Sequence, residues 1–207
     1  MLDKPLQKAL TPALQALARP LARWGVHADI LSWMGWMLGL LAATAIAFRA
    51  YDAGLVLLLV SRLLDGLDGA VARLTQPTFR GGFLDITLDF IFYAAFVLAF
   101  ALADAQAHAL PAAVLLAAFI GTGSSFLAFA VIASQAGVAD TAPLRKSFFY
   151  LGGLTEASET LAAFVAMCWW PEYFAAIAYG FAFLCLLTMA ARIHSGYVCF
   201  KPRKETP

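Results

Sequence analysis

Four aspartates, Asp65, Asp68, Asp85 and Asp89, fall in a stretch that is otherwise apolar enough to sit in a membrane. Each carboxylate held at mid-membrane depth costs roughly 2.5–3.5 kcal/mol, so four of them require compensating partners. Asp65 and Asp68 are three residues apart and Asp85 and Asp89 four apart, which places each pair on one face of a helix. A short connection that folds the two helices against each other then predicts a cluster of four carboxylates. Like charges at that density repel unless cations lie between them. Hard oxygen donors without Cys or His select Mg²⁺, Mn²⁺ or Ca²⁺ over zinc or copper, so the pattern implies a pair of divalent ions acting on phosphate. The surrounding residues fit that chemistry. Gly66 and Gly69 remove side chains where a ligand would approach, and Gly81 and Gly82 loosen the start of the following helix. Arg73, one turn beyond Gly69, is placed to neutralise a phosphate. Two other readings of these residues stay open: buried ion bridges to Arg62, Arg73 and Arg80, or a pathway for a cation.

The elements that must position these groups follow from composition. Of 207 residues, 62% are hydrophobic and 13% charged, and the mean hydropathy of +0.79 lies outside the range of soluble domains. Six apolar runs near the length needed to cross a bilayer are expected as transmembrane helices, at about Ile30–Phe48, Gly54–Leu74, Gly82–Ala103, Ala109–Ser134, Phe148–Trp170 and Tyr173–Arg192. The fold class is therefore an all-α membrane protein. Residues 1–28 read as an N-terminal interfacial segment, residues 29–195 as a six-helix domain, and residues 196–207 as a basic cytoplasmic tail. In the first segment Leu10, Leu14, Leu17 and Leu21 follow helical spacing, Trp24 suits the headgroup level, and Pro12 and Pro20 predict breaks or bends. Its four basic residues and three prolines leave no compact apolar core of the kind a cleavable signal peptide has.

Lys4, Lys8, Arg19, Arg23, Arg73, Arg80, Arg145, Lys146, Arg192, Lys201, Arg203 and Lys204 all fall on one side of that topology. Only Arg49 falls on the other, and Arg62 lies within the second span. Both termini and the aspartates are expected to be cytoplasmic. Cys168, Cys185 and Cys199 and the scattered histidines show no paired ligand spacing, which argues against a zinc site or a disulfide framework. No basic patch or repeat points to nucleic acid.

The stretch from Asp65 through Gly69, Ala72 and Arg73, then eight residues, then Gly82, Asp85 and Asp89, matches every fixed position of the pattern D-x2-D-G-x2-A-R-x8-G-x3-D-x3-D. The chain thereby resembles the CDP-alcohol phosphotransferase (CDP-alcohol phosphatidyltransferase) family of phospholipid biosynthesis. It also resembles enterobacterial inner-membrane members across Lys146–Glu156. The resemblance implies attack by an alcohol hydroxyl on the β-phosphorus of a CDP-linked lipid, with release of CMP. It implies that Asp65, Asp68 and Asp85 hold metal, with two Mg²⁺ or Mn²⁺ ions. Asp89 would lie near the second ion and act as base, and Asp68, Gly69, Ala72 and Arg73 would line the CDP site. A small polar alcohol, possibly phosphorylated, would accept the phosphatidyl group of CDP-diacylglycerol, and a homodimer in the bacterial inner membrane is expected. The Gly35-x-x-x-Gly39 pair is weak independent support for the dimer. A proline after the third aspartate and a lysine after the fourth mark the phosphatidylglycerophosphate synthase branch; here Ile86 and Phe90 occupy those places. The motif is likewise preceded by His27-Ala28-Asp29-Ile30-Leu31-Ser32 where many members carry Pro-Asn and Thr.

The acceptor side carries fewer signals. In members that take a phosphorylated alcohol the resemblance implies a basic pocket, for which Arg145, Lys146 and Arg192 are the candidates. Thr122, Ser124 and Ser125 are expected to serve helix packing, and Glu156 and Glu159 a lined cavity or a pair with Arg192. Two rival functions remain: transfer from a soluble CDP-alcohol to diacylglycerol, and cation transport through the aspartates.

Overall fold

The computed structural model describes residues 3–135 and 155–200, all within or between helices. Helix α1 spans Asp3–Arg23, α2 Ala28–Ala47, α3 Tyr51–Leu74, α4 Phe79–Ala103 and α5 Ala105–Gln135. After the undescribed stretch, α6 spans Ala157–Trp169, a single 3₁₀ turn covers Pro171–Tyr173, and α7 spans Phe174–Cys199. Among the described residues, four candidate membrane spans are long and apolar enough to cross a bilayer: Ala28–Ala47, Phe79–Ala103, Ala105–Gln135 and Pro171–Cys199. Helix α3 has the length, at 24 residues, but carries Asp52, Arg62, Asp65, Asp68 and Arg73. Helix α6 is short at 13 residues. Arg145 and Lys146, with the first part of the expected fifth span, lie outside the described residues.

Helix α2 is the spine of the site. Its buried face is Leu31, Gly35, Gly39, Ala42, Ala43 and Ile46, a run of mostly small residues at helical spacing that lets other backbones come close. Both α3 and α4 pack along it, while α3 and α4 barely approach each other directly. The expected meeting of the two motif helices is made by side chains rather than by close backbone packing: Asp85 joins Asp65 and Asp68, and Asp89 pairs with Arg62. Gly39 requires its missing side chain, because a Cβ there would stand 2.6 Å from the Phe92 ring and 3.0 Å from Ser61 Oγ. Gly35 packs in the same way on α3, 3.2 Å from Leu64 Cβ. The glycine pair is used within the chain, so it carries no support for a dimer.

Below the aspartates, α4 turns wholly aromatic on the same face. Phe92, Phe96 and Phe100 are fully buried, with Phe96 stacked on Phe164 of α6 at 4.4 Å and Phe100 stacked on Phe174 of α7 at 4.6 Å. Such a stack fixes the roll of α4 and with it the direction of Asp85 and Asp89. At the far end, Arg49 sits at φ 63 in the turn between α2 and α3 and donates from Nε to the Ala103 carbonyl at 2.9 Å. That bond ties the turn to the end of α4. The outer surfaces carry exposed Met34, Met37, Leu41, Leu98, Leu102 and Ile120, an apolar exterior suited to lipid.

Two local expectations change. Helix α1 runs through Pro12 and Pro20 without interruption. Both prolines are exposed, so the carbonyls they leave unpaired face outward rather than into the protein. Of its expected leucine stripe, Leu14 and Leu21 pack with buried Ala18 onto Leu67, Ala70 and Val71 of α3, while Leu10 and Leu17 stay exposed. Glu156 and Glu159, expected to line a cavity or pair with Arg192, also form a reciprocal capping box at the start of α6, with Glu159 Oε2 accepting from the Glu156 N–H at 3.2 Å.

Candidate metal centre

The motif places its first two aspartates on α3 and its second two on α4. Asp65 and Asp68 are one turn apart on the α3 face toward the cleft. Asp85 lies in the second turn of α4, whose start is set by Thr78: its Oγ1 accepts the Gly81 N–H at 3.0 Å. The helix therefore begins before the expected glycine pair, and Gly81 and Gly82 lie in its first turn. The outcome is a trio in which one carboxylate oxygen each from Asp65, Asp68 and Asp85 lies within 4.8 Å of the others.

The trio is graded in burial: Asp68 is buried, Asp65 half-buried and Asp85 exposed. Asp68, at 6% exposure, is held by the Ser32 hydroxyl, which donates to its Oδ2. Ser32 comes from α2, the helix on which both α3 and α4 pack, so the spine also orients one of the clustered carboxylates. All the donors are hard carboxylate oxygens without sulfur or imidazole, which fits Mg²⁺ or Mn²⁺.

Asp89 stands apart from the trio. Its Oδ1 accepts from Arg62 Nη1 at 2.7 Å, and the same nitrogen lies 3.6 Å from Asp65 Oδ2. Asp89 is nevertheless close enough to act electrostatically on all three members of the trio, so the fourth carboxylate lies beside them with Arg62, one of the arginines considered for an ion bridge, as its direct partner. Of the other arginines considered for ion bridges, Arg80 pairs with Asp29 at the first turn of α2. Arg73 lies along Gly69, where a Cβ would come within 3.3 Å of its Nη1.

The trio, Arg62, Arg73 and Arg80 share one cleft of about 1190 Å³. Its lining includes Asp65, Asp68, Asp85, Gly69, Ala72 and Arg73, and α1 closes one side with Leu10, Thr11, Leu14 and Gln15. Arg192 is elsewhere. It is buried on α7, donates from Nη1 to the Thr122 carbonyl at 3.0 Å, and stands over the Phe126 ring. Glu156 is close enough to act on it electrostatically. Thr122, Ser124 and Ser125 bond carbonyls in the preceding turn of their own helix, in keeping with a packing role.

Apolar helices around a carboxylate trio define a multi-pass membrane protein with a centre suited to divalent cations. The chain belongs to the CDP-alcohol phosphatidyltransferase family, whose model matches residues 25–190. It is 47% identical to the inner membrane protein YnjF of Escherichia coli (strain K12) over 201 residues, covering 97% of this chain and 98% of that one. Two solved structures of the Mycobacterium tuberculosis phosphatidylinositol phosphate synthase PgsA1 share the fold. The form with CDP-DAG bound has a TM-score of 0.67 at 21% identity, covering 94% of this chain and 97% of that one. The form in complex with manganese and citrate has a TM-score of 0.66 at 22% identity, covering 94% and 92%. Members of the family are transferases of phosphate-containing groups, and that is the enzyme class of this chain.

Proposed function

We propose that the protein transfers the phosphatidyl group of CDP-diacylglycerol to the hydroxyl of a small polar alcohol and releases CMP. The observation that carries this reading is the joining of the Asp65, Asp68 and Asp85 trio with Gly69, Ala72 and Arg73 in one cleft. PgsA1, which shares the fold, has been solved with CDP-DAG and with manganese, and both facts support the donor and the metal.

In this reading Asp65, Asp68 and Asp85 hold two Mg²⁺ or Mn²⁺ ions, with Asp89 near the second. When bound, the ions neutralise the pyrophosphate and the charge that passes to the leaving CMP. Asp68 and the small residues Gly69 and Ala72 leave room for the nucleotide, and Arg73 offers its guanidinium to a phosphate at the cleft mouth. Asp89 orients the acceptor hydroxyl and takes its proton late in the step, as suits a weakly basic carboxylate. Arg145, Lys146 and Arg192 serve an acceptor that carries a phosphate. The chain crosses the bacterial inner membrane six times as a homodimer, with α1 at the interface and both termini and the cleft cytoplasmic.

The test is CMP release by purified protein given CDP-diacylglycerol, Mg²⁺ or Mn²⁺ and single alcohols in turn, with Asp89→Asn as control. Release that depends on both an acceptor and a divalent ion, and that is lost in the control, is the expected result. Release only from a soluble CDP-alcohol with diacylglycerol would reassign the donor. Cation uptake without any CMP release would replace the transferase reading.

A further inference from the structure

We propose that Arg62 is a positioning residue of the reaction: it bridges α3 to α4, aims the Asp89 carboxylate, and weakens the hold of the aspartates on divalent ions. The inference rests on the proposed use of those aspartates as metal ligands.

The arginine is held at both terminal nitrogens and on one face, while its buried Nε makes no hydrogen bond. Nη1 holds Asp89 at 2.7 Å and stands 3.6 Å from Asp65, while Nη2 donates to Ser61 Oγ at 3.2 Å. Ser61 is fully buried and donates in turn to the Gly35 carbonyl of α2 at 2.7 Å. The guanidinium carbon lies 4.2 Å from the centre of the Phe92 ring, and Phe92 is locked in place against the bare backbone of Gly39. A planar cation gripped by a hydroxyl, a ring and two carboxylates has one orientation. That orientation decides where Asp89 points. Because α3 and α4 barely touch directly, this ion pair is also a direct tie between the two helices that carry the motif.

The same contact has an electrostatic effect. Asp65 belongs to the trio, so Arg62 places a permanent positive charge beside a metal ligand. A divalent ion in the trio is repelled by it, and Asp89 is already engaged. Loss of the charge strengthens divalent binding on the order of tenfold at this range and burial. A residue that only held the fold together would not tighten metal binding when removed.

The experiment uses the full chain in detergent and reads Mn²⁺ binding from the resonance signal of free Mn²⁺, unfolding with and without Mn²⁺, and CMP release. In Arg62→Gln the Mn²⁺ midpoint is expected to fall about tenfold. The unfolding temperature drops without metal and recovers most of the loss with it. Turnover falls roughly 100-fold, the scale of a displaced acid–base group, with the donor KM changed far less. Arg62→Lys, which keeps the charge but not the fork, retains the Mn²⁺ midpoint and loses part of the turnover. An Mn²⁺ midpoint unchanged or weakened in Arg62→Gln, with stability lowered equally with and without metal, overturns the proposal. Metal binding is read without donor or acceptor, so its failure is separable from that of the transferase reading. A wild-type protein that binds Mn²⁺ yet releases no CMP from any donor refutes that reading alone.

Discussion

Ser32 on α2 donates its hydroxyl to Asp68 on α3, so the most buried of the three clustered aspartates is oriented from outside the motif. Ser32→Ala leaves Asp68 buried without that donor. Outer hydrogen bonds of this kind are worth about 10- to 100-fold in metal affinity. The expected result is a weaker Mn²⁺ midpoint by that factor with a folded protein. Ser32→Thr, which keeps the hydroxyl, should recover most of it.

Asp85 is the exposed member of the trio and the one supplied by α4. Asp85→Asn removes a ligand charge from a position that packs little, so CMP release should be lost while the protein still elutes as folded material. Retained turnover with ordinary metal dependence would remove Asp85 from the ligand set.

Gly39 faces Phe92 at a distance no Cβ tolerates, and Phe92 is fully buried. Gly39→Ala should cost about 1–3 kcal/mol through overpacking. Because the displaced ring supports Arg62, turnover should fall further than the fraction unfolded explains. Thermal unfolding and kinetics on the same sample separate the two effects.

The Asp29–Arg80 pair joins the first turns of α2 and α4, and its arginine side chain is 78% exposed. Exposed pairs contribute about 0–1 kcal/mol. Asp29→Ala and Arg80→Ala should each leave the unfolding temperature nearly unchanged, and a large drop would show that the pair carries load despite its exposure.

Arg192 holds the Thr122 carbonyl and lies outside the aspartate cleft. If its proposed service to a phosphorylated acceptor is right, Arg192→Ala raises the acceptor KM with donor KM unchanged. A loss of stability alone, with acceptor KM intact, assigns the side chain to the α5–α7 contact.

The trio was legible in the sequence because it depends on local spacing: Asp65 and Asp68 at i, i+3 on one helix, and Asp85 at a fixed distance along the next. Its partners were not. Arg62 was only one of three arginines that could bridge to them, while Ser32 on Asp68 and Phe92 under Arg62 come from tertiary packing, and nothing in a linear pattern says that α2 lies against both motif helices. The apolar runs marked the helices well, though their ends moved by a few residues; Thr78 shows why at one of them, since an N-cap hydroxyl sets the start and the glycines do not. Pro12 and Pro20 do not break α1, because the one hydrogen bond each removes lies on an exposed face where water can take the freed carbonyl, and exposure is a tertiary fact.

The polarity of α3 also bears on how the protein enters a membrane. Its two arginines and two site aspartates each oppose insertion by roughly 2.5–3.5 kcal/mol when placed at mid-depth. The apolar residues around them only partly offset that sum, and the helix is absent from the four sufficiently apolar ones. As a solitary segment it would be a poor client for the translocon. Helix α2, long, apolar and joined to it by a turn of a few residues, precedes it in the chain and offers the small-residue face on which it docks. The biogenesis of the catalytic helix is thus expected to be that of a hairpin, delivered with its neighbour rather than released alone into lipid.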